Sequence, residues 1–402
     1  MYRRWLCLLS ALSAAGWAQD SDMHHMHHLN RAGMYLMNMS SGTSMNPYSW
    51  QMPMRMTEAG NWSLMFMGQA FVIDTQQSGA QGGDKLYSAN WFMAAGEHAL
   101  GDGSIMFTAM LSLDPATITN RSYPLLFQTG ETAHGRPLVD AQHPHDFLMA
   151  LSAQYAYRAG RDTMLQAYYA PVGDPALGPV AFPHRASAFE LPQATLGHHW
   201  QDSTHISANV ATVAVRHKWL RLEASGFHGA EPDENRWNVD WGGMDSYSGR
   251  MSVAPTQNWM AQFSAGRLSH PERQEAGDVV RTTASVAYTR GGWSSTIIWG
   301  RNHQTAGKRD LNSYLGETLL SLGKRNSVTG RIEVVDKDEL AIPGQYRIRA
   351  YTAGYTRDVG SFRLIQTGIG ANVTAYAIPD ALQPHYGAHP WGVNVYVRAR
   401  LR

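Results

Sequence analysis

Val393-Asn394-Val395-Tyr396-Val397-Arg398-Ala399-Arg400-Leu401 sets Val393, Val395, Val397, Ala399 and Leu401 at every second position against Asn394, Tyr396, Arg398 and Arg400. Strict alternation is the period of a β-strand, whose successive side chains point to opposite faces. Arginines on one face require water or partners there, while the valines opposite require apolar surroundings. The same two-faced pattern recurs upstream. Val328, Gly330, Ile332 and Val334 oppose Ser327, Thr329, Arg331 and Glu333, and Phe147, Met149, Leu151, Ala153, Tyr155 and Tyr157 oppose Ser152, Gln154 and Arg158.

The connections between such segments alternate in length. Gly101-Asp102-Gly103, residues 159–162, His217-Lys218-Trp219, residues 255–258, Arg290-Gly291-Gly292, and residues 323–326 and 358–361 are hairpin-tight and rich in turn formers. Between them lie long loops at 75–84, 115–146, 171–204, 228–246, 269–278, 302–310, 336–345 and 374–390. Two-faced segments joined by short and long connections in turn predict an all-β fold, a transmembrane antiparallel β-barrel of about sixteen strands (roughly 14 to 18), with short turns in the periplasm and long loops outside. Both ends of the barrel then face the periplasm. Trp62, Trp219, Trp259, Tyr288, Trp293 and Trp391 fall near strand ends, where interfacial aromatic girdles form. A soluble sandwich or propeller also alternates apolar and polar positions but has no need to alternate its loop lengths. The end Leu401-Arg402 lacks the final aromatic residue common in outer-membrane barrels.

Three sections are expected: a signal peptide over 1–18, a Met/His-rich periplasmic tail over 19–60, and the barrel over 61–402. The first has a basic head (Arg3, Arg4), an apolar core and the small residues Gly16 and Ala18. Beyond it no run approaches the ~20 apolar residues of a membrane helix. The sole cysteine, Cys7, lies in the signal, so the mature chain offers no disulfide and no thiolate. A formal charge of +1 and sparse lysines exclude a nucleic-acid role.

The tail shows neither helix nor strand periodicity, and is read as disordered. It opens Met23-His24-His25-Met26-His27-His28 and continues with Met34, Met37, Met39, Met45, Met52, Met54 and Met56. Thioethers suit Cu(I) and imidazoles suit Cu(II), Zn and Ni, so their interleaving points to copper ions. In the long loops, His143-Pro144-His145-Asp146 and Gly197-His198-His199-Trp200-Gln201-Asp202-Ser203-Thr204-His205 add His143, His145, His198, His199 and His205 as candidate ligands. Alternatively Asp140, Asp146, Glu190 and Asp202 fix these imidazoles in a structural hydrogen-bond network. Arg331, Glu333, Arg347, Arg349, Arg398 and Arg400 are candidate pore-lining residues, since arginines facing carboxylates set the field of a constriction. The same pairs could instead fill the lumen with salt bridges.

At residues 138–146 (Leu-Val-Asp-Ala-Gln-His-Pro-His-Asp), at residues 197–205, and at Glu231-Pro232-Asp233-Glu234-Asn235-Arg236, the chain resembles a family of largely uncharacterised bacterial outer-membrane proteins. Such proteins carry a Met/His-rich leader and are linked with copper and heavy-metal efflux. A looser likeness, in architecture and ligand chemistry alone, is to the copper-resistance protein B family; the barrel motifs differ. These likenesses imply copper binding, transport or resistance, with outer-membrane lipid, a metal ion and periplasmic efflux or copper-binding proteins as partners. The alternative is a general or substrate-specific porin with a metal-buffering tail. An enzyme is not expected: no Gly-x-Ser-x-Gly elbow or helical His-Glu-x-x-His occurs. No organic cofactor is implied.

Overall fold

A computed structural model describes residues 29–40, 42–272 and 276–402. The expected signal peptide over 1–18 and the run Met23, His24, His25, Met26, His27 and His28 lie outside the described residues. The strands are β1 (Arg55–Ala59), β2 (Trp62–Gln77), β3 (Lys85–Leu100), β4 (Gly103–Leu111), β5 (Tyr123–Ala133), β6 (Arg136–Gln142), β7 (Leu148–Arg158), β8 (Thr163–Gly173), β9 (Ser207–His217), β10 (Leu220–Phe227), β11 (Ser246–Thr256), β12 (Trp259–Leu268), β13 (Val279–Arg290), β14 (Trp293–Gln304), β15 (Arg309–Leu322), β16 (Asn326–Lys337), β17 (Tyr346–Phe362), β18 (Ile365–Ala377) and β19 (Trp391–Leu401).

Sixteen of these, β2–β4 and β7–β19, pair antiparallel with their neighbours, and β19 closes the ring on β2 through the register Arg400↔Gln69 to Gly392↔Gln77. Closure leaves no open edge, the condition for strands to cross lipid. The lower end of β2, beyond the reach of β19, is paired by β1 (Ala59↔Trp62 to Arg55↔Phe66), so this edge too is covered. The alternation in β19 follows its sequence: Val395 and Val397 are exposed outward, and Tyr396, Arg398 and Arg400 are buried inward. Phe92, Phe107, Val213, Ile297 and Ile332 continue the outward apolar surface round the barrel. Apolar residues facing out from a closed barrel make it a membrane-spanning structure of outer-membrane type. Tyr288 packs between Trp259 (ring centroids 4.7 Å, tilted) and Trp293 (5.2 Å, edge-on) at the short-turn end, where an interfacial girdle is expected.

Three elements depart from expectation. Met149, expected on the outward face, is buried in the bore, because Leu148 pairs Leu111 and Ala150 pairs Met110, leaving Met149 as a bulge residue. The turn expected at 358–361 is a continuing strand with a bulge between Asp358 and Gly360; the reversal comes at Arg363, whose φ is 51°. Residues 29–60, expected to lack regular structure, hold helix α1 (Arg31–Met37) and β1. Asn30 caps α1 by accepting the Gly33 amide at 2.9 Å, and Ala32, Tyr35 and Leu36 are buried inside the barrel. A helix of two turns is too short for hydrophobic periodicity to announce it.

Candidate functional site in the lumen

The bore is occupied by the third long loop. Every residue from 174 to 202 is buried, held by the polar side chains that the strands turn inward. Ser225 and Ser264 accept the amides of Ala176 (2.8 Å) and Gly178 (2.9 Å), Gln69 donates to the Phe189 carbonyl (3.0 Å), and Gln201 donates to Ser313 (3.1 Å). Glu317 takes Arg185 at 2.6 Å, Ser187 at 2.8 Å and Arg331 at 3.0 Å. These anchors come from strands all round the ring.

This arrangement fixes what the charged candidates do. Arg331 and Glu333 do face the lumen, but Arg331 is paired with Glu317 and Glu333 accepts the Leu196 amide at 2.6 Å. Arg398 and Arg400 meet Glu190 of the loop, and Arg398 also meets Asp358. Arg347 and Arg349 are not pore-lining: Ile348 and Ala350 hold the inward phase of β17, which turns both arginines outward, Arg347 onto Asp336 at 2.8 Å. Grouping arginines by sequence proximity overlooked that phase.

Residues 29–54 enter from the short-turn end. Asn30 donates to the Gly103 carbonyl (2.8 Å) and Ser49 to the Thr289 carbonyl (2.7 Å), so the segment spans that mouth. It also meets the third loop, where Asn46 donates to the His184 carbonyl at 2.8 Å and Thr43 to the Asp174 carbonyl at 3.2 Å.

The five candidate histidines of the described loops converge. Ring centroids lie 5.6 Å apart for His143–His199, 5.3 Å for His198–His199, 5.4 Å for His198–His205 and 5.7 Å for His145–His205. All five are tethered through Nδ1: His143 to the Pro144 carbonyl (3.1 Å), His145 to Asp114 (2.9 Å), His198 to Asp202 (2.7 Å), His199 to Glu231 (3.2 Å) and His205 to the Asp202 carbonyl (2.8 Å). An imidazole held at Nδ1 by a carboxylate or carbonyl presents Nε2 as metal-ligating histidines do, and Nε2 of His199 and His205 is buried without a hydrogen-bond partner. Burial pushes His143 and His198 down to about 4, leaving neutral rings with a lone pair to offer. Of the carboxylates expected to fix imidazoles, Asp202 does so; Asp140 holds the Phe127 amide (2.7 Å), Asp146 meets Arg236 (3.4 Å) and Glu190 meets the arginines.

Sequence reasoning missed two groups. Ligand atoms of His199, Glu231 and Glu272 lie within 4.8 Å of one another, beneath a cavity of about 270 Å³ lined by Glu131, Glu231, Asp233, Glu272 and Glu339. The run Glu231-Pro232-Asp233-Glu234 carried that signal. The second group is the thioethers that the strands turn inward, Met65 and Met67 among them, which meet the tail methionines already singled out by the sequence. Met39, Met65 and Met67 are shared between a cavity of about 40 Å³ that reaches His184 and His205 and one of about 300 Å³ at the short-turn mouth, where Met34, Met37, Met52, Met54 and Met56 gather. Along the bore, ligand character thus passes from carboxylate to imidazole to thioether.

Sixteen antiparallel strands closed in a ring, with the third long loop folded into the bore, define an outer-membrane barrel of porin architecture. Solved structures agree. An anion-selective porin from Comamonas acidovorans is similar with a TM-score of 0.53 and 12% identity over 85% of this chain and 100% of that one. OmpF of Salmonella typhi, in complex with daunomycin, is similar with a TM-score of 0.55 and 9% identity over 86% and 100%. A loop-deleted OmpT, an outer membrane protein of Vibrio cholerae, reaches 0.51 with 7% identity over 85% and 99%. At these identities the likeness is one of fold. No family model and no curated protein sequence matches the chain.

Proposed function

We propose that the chain is a solute-selective channel of porin architecture in a Gram-negative outer membrane, with short turns and residues 29–60 on the periplasmic side and its bore held shut in the conformation described. The observation that carries this reading is the unbroken burial of residues 174–202 inside a closed sixteen-stranded ring. In planar bilayers the full-length protein is expected to give little steady conductance, and a chain lacking residues 29–54 a clear increase. Current steps from the full-length protein as large as those of an unobstructed porin would refute it.

A second reading makes copper the solute. The carboxylate, imidazole and thioether series favours it, because soft and borderline ligands select transition metals over Mg and Ca. The run 23–28 would capture the ion in the periplasm, where efflux or copper-binding proteins would exchange it. Calorimetric titration with Cu(I) under reducing conditions, then Cu(II) and Zn(II), is made on chains with and without residues 19–28, sparing the folded segment that follows. Cu(I) uptake that falls when 19–28 are removed supports capture; no uptake by either chain leaves a channel with structural histidines.

A further inference from the structure

The inward faces of β2, β3, β4 and the start of β7 break the rule that a channel bore is polar. Where β13–β16 turn arginine, serine, threonine and glutamate inward, these strands carry Met65, Met67, Met93, Met106, Met110 and Met149, all buried. Leucine would fill the same volume, yet none of the buried inward positions of β2, β3 and β4 is leucine. Register places Met67 opposite Met93 and Met93 opposite Met110, so three thioethers stand in one row across adjacent strands. Directly opposed side chains have β-carbons roughly 5 Å apart, within reach of a common ion.

His184 comes down from the third loop onto this row. Its Nε2 lies 3.3 Å from Met110 Sδ, and its ring packs 4.5 Å from the Trp91 indole. Nδ1 is buried without a hydrogen-bond partner, as is Nε2 of His205 on the same cavity. Ligand bonds of roughly 2.0 Å to nitrogen and 2.3 Å to sulfur, opened to a tetrahedral angle, separate the two donors by about 3.5 Å. The observed 3.3 Å contact is close to the separation that two such donors on one ion would have.

We propose that Met67, Met93, Met110 and His184 form an internal site for a soft monovalent cation, Cu(I) in the cell and Ag(I) as its redox-inert probe. All four ligands are neutral, so a single charge is accommodated where a divalent ion would stay uncompensated. The site therefore discriminates against Zn(II) and Cu(II), which the carboxylate-bearing cluster at His199 suits better. The inference rests on the channel reading, since it places the ion on the bore.

The test is an equilibrium Ag(I) count on the full-length protein in detergent, with X-ray absorption at the silver edge. Met110→Leu and His184→Gln should each lose one bound equivalent and its sulfur scattering, while keeping the heat-modifiable gel migration of a folded barrel; Met251→Leu, a thioether on the outward face of β11, should lose none. An Ag(I) count and affinity unaltered in both variants overturns the site. Bilayer conductance of the metal-free protein tests the channel reading separately: large open-channel currents would sink that reading with the silver count standing, and an unaltered silver count would sink the site with the channel shut.

Discussion

A β-carbon at Gly130 would stand 2.6 Å from the His199 imidazole, and the residue's φ of +114° lies where L side chains are strained. Gly130→Ala is therefore expected to push His199 away from Glu231 and Glu272 and to weaken Zn(II) binding at that cluster. Zn(II) titration checks it, with Ag(I) uptake as the control that should hold. Asp140 answers to pH. Its carboxyl accepts the Phe127 amide and the Tyr386 hydroxyl (2.9 Å), and burial raises it to about 6. A pKa raised by docking means that the docked hairpin of β5 and β6 holds the proton more tightly than the undocked one. The resulting stabilisation is complete below about 3.8 and is lost as pH rises through about 6. Exchange protection of the Phe127 amide, corrected for the intrinsic rate, should thus fall between pH 4 and pH 7, and Asp140→Asn should flatten that dependence. Protection that rises with pH would contradict the assignment.

Two elements obstruct the bore, and each hangs on identifiable contacts. Helix α1 docks through Leu36, fully buried, and through the Tyr35 hydroxyl on Gln166 at 3.0 Å. Leu36→Ala should cost about 2–5 kcal/mol of docking free energy and raise conductance, less completely than removal of residues 29–54. The third loop depends on Glu317, the common partner of Arg185, Ser187 and Arg331. Glu317→Gln leaves two buried guanidinium groups undercompensated, a loss of about 3–5 kcal/mol for a broken buried pair. Protease cleavage within 174–206 should then appear with the barrel still folded; a loop as resistant as in the parent protein would refute the anchoring role. The elements legible beforehand were those with sustained period 2, such as β19, and the loops separated by turn formers. Those that were not legible rest on a single bulge at Met149 or on tertiary burial of a seven-residue helix, and neither leaves a periodic trace.

At the scale of the whole molecule, strand number, closure and the alternation of short and long connections could be read from the chain, because each follows from local pattern. The candidate site could be read only in part. His143, His145, His198, His199 and His205 stood out by residue type, whereas the thioether row at Met67, Met93 and Met110 exists only through cross-strand register, which no single strand encodes. Charge behaves alike. A formal charge of +1 over the chain suggests no preference for cations or anions, yet the outer cavity of about 270 Å³ gathers five carboxylates with no lysine or arginine among its described lining residues. Carboxylates around a concave, partly dehydrated mouth concentrate cations by an amount that falls as salt rises. In a chain lacking residues 29–54, reversal potentials across a KCl gradient should therefore favour K⁺ over Cl⁻. The preference should be stronger at low than at high salt, and should weaken in Glu272→Gln/Glu339→Gln. A cation preference would locate selectivity in the loop residues that line the mouth. An anion preference in the same measurement would place control with the inward arginines Arg331, Arg398 and Arg400 and remove the acidic mouth from the account.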